Sequence, residues 1–151
     1  AVFVSLKCAM DNIASPLLDL AIRLYMANIF FQSGMLKFKN YLNNDWGSTV
    51  FLFQEVHPIP GIPANIAAVA GTAGELVLPI LLVFGFLGRF AALGLLVMTL
   101  TIQFVVPESA GVRNSEHYLW MLLLAVPLIK GSGKLSADYL IGQYLCRKRC
   151  G

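Results

Sequence analysis

Residues 64–86 read ANIAAVAGTAGELVLPILLVFGF, and this stretch decides the fold class. About 20 consecutive, mostly apolar residues make a helix long enough to cross the hydrocarbon core of a bilayer. One ionisable side chain, Glu75, lies near its middle, with Pro79 one turn later. Three more apolar stretches accompany it, at about residues 17–36, 89–106 and 114–130. Ser15 and Pro16 suit the N-cap and first helical position of the first. Pro107 closes the third. The last is a full span only if Asn114, Ser115 and Glu116 begin it early, and Pro127 loosens its final turn.

The composition agrees. Of 151 residues, 58% are hydrophobic and 13% charged, and the mean hydropathy is +0.73. A soluble domain carries about 25% charge, so this chain lacks the charge to coat a surface in water. A disordered tail, a disulfide scaffold and an ordinary soluble enzyme are excluded. No polar stretch is long enough for a second domain, so residues 1–151 are expected to form one membrane domain. The fold class expected is all-α: a transmembrane four-helix bundle, with a short interfacial helix in its outer loop and an amphipathic C-terminal segment.

The net charge of +3 matters less than its placement. With four spans, Lys7, Arg89, Lys130, Lys134, Arg147, Lys148 and Arg149 fall on the side of the termini. Lys37, Lys39 and Arg113 fall on the other. The positive-inside rule then puts both termini in the cytoplasm. The basic tail reads as a topology and headgroup signal, and no platform of interleaved aromatic and basic residues suggests nucleic acid. Residues 1–10 lack the apolar core of a secretory signal. Cys8, Cys146 and Cys150 all lie on the reducing side, either as free thiols or as a three-thiolate site.

Residues 37–64 form the long outer loop. Asp45 to Glu55 reads as a short amphipathic helix capped by Asn44 or Asp45, with Trp46, Phe51 and Phe53 expected at the membrane–water interface. Pro58, Pro60 and Pro63 make the return segment rigid and extended.

Several of these segments resemble the DoxX family of membrane proteins. Phe30-Phe31-Gln32-Ser33-Gly34-Met35-Leu36-Lys37 is similar to the end of that family's first helix. Thr49 to Gln54 and Val56 to Pro63 resemble its loop. Ala73-Gly74-Glu75-Leu76 and Phe84 to Arg89 resemble its second helix and the following turn. Lys130 to Asp138 matches its glycine-rich tail, Gly-x-Gly-basic-x-Ser-x-Asp. The resemblance implies a four-helix subunit associated with quinone-linked oxidation. It carries no universal catalytic motif.

Two polar sets lie inside the predicted bundle. Arg23 and Glu75 both require a partner or a wet cavity; counted from the cytoplasmic ends of their helices, they fall within reach of each other. Asp19, one turn before Arg23, completes a triad, serving either as a register-fixing ion pair or as a proton or quinone site. Toward the outside, Gln32, Lys37, Gln103, His117 and His57 form the second set. There Gln32 and Gln103 are expected to orient quinone carbonyls while His57 or His117 relays protons. A metal held by the histidines with Glu55, Glu108 and Glu116 is the weaker alternative. The resulting expectation is a subunit of a quinone-linked assembly in a prokaryotic cytoplasmic membrane, contacting lipid and other subunits. No prosthetic group is encoded, and a quinone is the expected cofactor. The alternatives are a structural subunit or a small-solute permease.

Overall fold

Helix α1 (Ser15–Leu42) is the longest element, 28 residues or roughly 42 Å of rise. The computed structural model describes residues 4, 7, 8, 10–108 and 111–149, and no strand occurs among them. After α1 come the short α2 (Trp46–Phe51), α3 (Ala64–Phe84), α4 (Gly88–Leu100), α5 (Glu116–Lys130) and α6 (Ala137–Arg149). Helices α2 and α4 each run on into a π turn, Leu52–Val56 and Thr101–Val105. Helix α1 packs on α3, α3 on α4, α4 on α5, and α5 back on α1, which closes a four-helix bundle.

The burial pattern is that of a protein solvated by lipid. Leu93, Val97, Leu119, Leu122, Val77 and Ile80 face outward, whereas Asp19, Arg23, Lys37, Glu75, Gln103 and His117 are buried. In water such an outer surface would be one large unsolvated apolar patch. Among the described residues, three helical stretches, Met10–Leu42, Ala64–Phe84 and Gly88–Val105, are long and apolar enough to cross a membrane. The 15 residues of α5 rise only about 22 Å. The bundle's core is Met26, Phe30, Leu82, Ala91, Ala92, Leu95 and Leu124.

Some local expectations change. The chain is already helical before Ser15, through a π turn at Met10–Ala14, so Ser15 does not cap α1. Its hydroxyl accepts from Lys130 Nζ at 2.6 Å instead. Helix α1 also runs past Leu36 to Leu42. Asp45 precedes α2, but its carboxylate accepts from the Ser48 hydroxyl rather than from a backbone N–H. Phe53 points inward onto Ala67 and Ala68, leaving Phe51 exposed.

Glycines set the register of the helices. A Cβ on Gly34 would lie 2.9 Å from the Glu75 Cβ, so α1 and α3 touch backbone to backbone there. A Cβ on Gly85 would lie 2.5 Å from Arg23 Nη1. Arg23 is therefore level with the end of α3, and Glu75 with Gly34. Gly71 and Gly74 accommodate Phe53 and Met98.

Candidate functional site

The expected triad of Arg23, Glu75 and Asp19 does not form. Eleven residues of α1 separate Arg23 from Gly34, roughly 16 Å of rise, so an arginine at that level cannot reach Glu75. The first two turns of α1 extend beyond the end of α3, and counting both depths from helix ends placed the two residues too close together. Arg23 instead donates from Nη1 to the carbonyls of Leu82 (3.3 Å) and Val83 (3.0 Å), and from Nη2 to that of Leu135. The Val83 carbonyl is one that the last turn of α3 leaves open, whereas the Leu82 carbonyl also accepts the Gly85 N–H at 3.2 Å. Asp19 pairs with Lys130 at 2.8 Å.

The glycine-rich tail closes this end. Leu87, a non-glycine residue at φ 49°, donates its N–H to Asp138 Oδ1 at 2.9 Å. Gly88 donates to Oδ2 at 3.0 Å. The left-handed backbone at Leu87 costs about 1–2 kcal/mol, offset by two charge-assisted bonds that also cap α4. The polar residues here form a structural clasp between α1, the α3–α4 turn and the tail.

Glu75 has a different partner. Lys37 Nζ donates to Glu75 Oε2 at 2.5 Å and to Ser33 Oγ at 2.9 Å, with both charged side chains more than nine-tenths buried. Lys37 also lies 5.8 Å from the centre of the Phe53 ring. Pro79, four residues after Glu75, has no N–H to give the Glu75 carbonyl, which loosens α3 where Gly34 meets it.

Above this pair lies a cavity of about 580 Å³. Helices α1, α3, α4 and α5 form its sides and the α2 loop its cover. Its walls are mainly apolar, from Leu52, Phe53, Ile59, Ala67, Met98 and Ile102. Glu75 marks its deep end on α3, and Lys37, Asn40, Thr49, His57 and His117 also line it. Leu36, Ile62 and Ile66, exposed on the outer surface of the bundle, lie at its rim.

The two histidines are held differently. The oxygen of Gln103 accepts the backbone N–H of Asn114 at 3.3 Å and lies 2.8 Å from His117 Nδ1. The amide N–H can only donate, so that atom is an acceptor, and His117 carries its proton on Nδ1. Nε2 is then the acceptor of the neutral ring. Trp120 packs against the ring, 4.9 Å between centres. His57 follows the π turn, donating its backbone N–H to Leu52 at 2.9 Å, and its buried Nδ1 has no hydrogen-bond partner. Burial holds the His57 imidazole below the ordinary histidine range, and the positive charge on Lys37 pushes the same way.

Of the outer polar set, Lys37, His57 and His117 converge on the cavity. Gln103 stands behind His117. Gln32 does not join them: it is exposed and donates to Asn28 at 3.2 Å, because its position turns it to the outer face of α1. Sequence reasoning missed Ser33, Asn40 and Thr49. Ser33 and Asn40 flank Lys37 at helical spacing, the signal that would have found them. Among the described residues, no three His, Cys, Asp or Glu side chains converge on a metal-sized site. Cys8 and Cys146 are exposed, and Cys150 lies outside the described residues.

The chain is 30% identical over 141 residues to an uncharacterized protein of Haemophilus influenzae, covering 89% of each chain. No solved structure matches it. The DoxX family model matches residues 18–108, which take in α1 beyond its first three residues, α2 to α4, the Lys37–Glu75 pair and most of the cavity wall. The chain is a multi-pass membrane protein and belongs to the DoxX family.

Proposed function

We propose that the chain is a membrane subunit of a quinone-linked redox assembly, and that the cavity beneath α2 receives the quinone head group. The observation that carries this reading is the mainly apolar cavity of about 580 Å³ with the buried Lys37–Glu75 pair and both histidines along its walls. Small-molecule sites typically enclose about 300–1,000 Å³, with a few convergent polar groups on apolar walls. The residues fit such a ligand. Quinone oxygens accept hydrogen bonds; Lys37 has N–H to donate, and His57 has a buried ring nitrogen without a partner. Neutral His117 offers Nε2 as a proton acceptor while Gln103 holds the ring in place. This differs from the expected donors, since Gln103 is occupied and Gln32 faces away. Leu36, Ile62 and Ile66 provide an apolar rim for entry from lipid.

A bound quinone supplies two-electron, two-proton chemistry, with electrons delivered by a partner subunit. The membrane is a prokaryotic cytoplasmic membrane with both termini on the cytoplasmic side, as the distribution of basic residues and the bacterial relative suggest. A ligand site is favoured over a permease path, because beyond Glu75 the bundle is filled by Met26, Phe30, Leu82, Leu95 and Leu124, all 4% exposed or less.

The test is gentle purification from native membranes and extraction of retained quinone. Wild type should hold near-stoichiometric quinone. Ala70→Phe, which fills the cavity from an exposed wall position, should lose it while melting normally. Absence of quinone from the wild type, or equal retention by Ala70→Phe, would refute the reading.

A further inference from the structure

A second cavity lies at the opposite end of the bundle, where the glycine-rich tail turns between α5 and α6. It encloses about 380 Å³, and Arg89, Lys130, Lys134, Ser132 and Asp138 are among the residues around it. The Asp138 carboxylate is taken up by the N–H groups of Leu87 and Gly88, so the start of α4 is already capped. Lys130 holds Asp19, and Lys134 donates to Asn12. Arg89 makes no ion pair among the described residues. The site therefore keeps an excess of positive charge.

The independent sign of a ligand is Ser132. It is 5% exposed, and its hydroxyl oxygen is buried with no hydrogen-bond partner. A buried hydroxyl left in that state is destabilising unless something accepts its proton. Ser132 is among the residues around the cavity, and its hydroxyl oxygen lies against Gly88, where an added Cβ would stand 1.7 Å from it. Gly131 and Gly133, at φ 90° and 75°, give this turn a backbone that other residues rarely adopt, and Gly131 lies against the Arg89 guanidinium.

We propose that this cavity binds the phosphate of an anionic phospholipid. Arg89 and Lys134 take the phosphate oxygens, and Ser132 donates a hydrogen bond. A phosphate from the aqueous phase has the same chemistry. A lipid is the source because Phe90 and Ile129, next in sequence to Arg89 and Lys130, are 70% and 78% exposed and offer an apolar bed for acyl chains. Basic pockets between membrane helices bind anionic headgroups in this way.

The test uses the full chain, delipidated in zwitterionic detergent, with phosphatidylglycerol or phosphatidylcholine of identical chains. Retained lipid is read by native mass spectrometry and stabilisation by melting temperature. Phosphatidylglycerol should be retained and should raise the melting temperature, and phosphatidylcholine should do neither. Arg89→Gln should weaken phosphatidylglycerol binding about fivefold, the weight of one basic residue at a lipid surface. Ser132→Ala should weaken it too, without lowering the melting temperature of the lipid-free protein, since the hydroxyl has no partner to lose. Lys39→Gln, an exposed charge on the far side, should change nothing. Equal retention of the two lipids, or unaltered binding by Arg89→Gln, would overturn the proposal. So would inorganic phosphate stabilising the protein as well as phosphatidylglycerol and displacing it.

Discussion

Replacing Glu75 with Gln strands the Lys37 ammonium inside the bundle. The wild-type pair is separated by 2.5 Å, with the side chains 9% and 8% exposed. Breaking a buried pair by removing one partner costs about 3–5 kcal/mol. The Ser33 hydroxyl at 2.9 Å and the Phe53 ring at 5.8 Å remain as neutral partners and soften the loss. The expected destabilisation is about 3 kcal/mol. Adding Lys37→Met removes the stranded charge, and the double variant should recover at least about 1–2 kcal/mol, since apolar replacement of both partners is often neutral. Denaturant unfolding of wild type, both single variants and the double variant in one detergent gives the coupling directly. A Glu75→Gln loss under about 1 kcal/mol, or a double variant as unstable as the two single losses added together, would refute the pairing.

Arg23→Met removes the donors to three backbone carbonyls and should destabilise by about 2–4 kcal/mol, with faster amide exchange in Gly131–Ser136. Unchanged exchange there would contradict the clasp. Asp138→Ala uncaps Leu87 and Gly88 and should cost about 1 kcal/mol, read by unfolding and by exchange confined to the start of α4. The depressed His57 pKa makes the unfolded chain take up a proton first as pH falls below about 6.5. Stability should therefore decline from that point down to the folded-state value and then level off. His57→Phe should flatten that limb in melting temperatures measured between about pH 5 and 8, and an identical limb would exclude His57 as its source.

The fold class was legible in the chain because membrane insertion is governed by local composition. An apolar run such as residues 64–86 needs no distant partner to declare itself, and Pro16, Pro63 and Pro107 mark segment ends locally, whereas Pro79 and Pro127 lie inside helices. The glycine-rich tail was legible as a motif for the same reason, although its work, capping Leu87 and Gly88 through Asp138, was not. Charge placement likewise indicated that Arg23 and Glu75 needed partners.

Which partner each one took was decided by register. Helices α1 and α3 meet backbone to backbone where Gly34 admits Glu75, and that register puts Lys37, not Arg23, beside the carboxylate. No periodicity within one helix carries the axial offset between two. The rotation of side chains about each axis is also a tertiary outcome. It turned Gln32 out toward Asn28 and Gln103 inward to His117, though both are amides near helix ends. The cavity itself is the space left when the π turn after α2 rests on α3 through Phe53, and such a space has no sequence signal of its own.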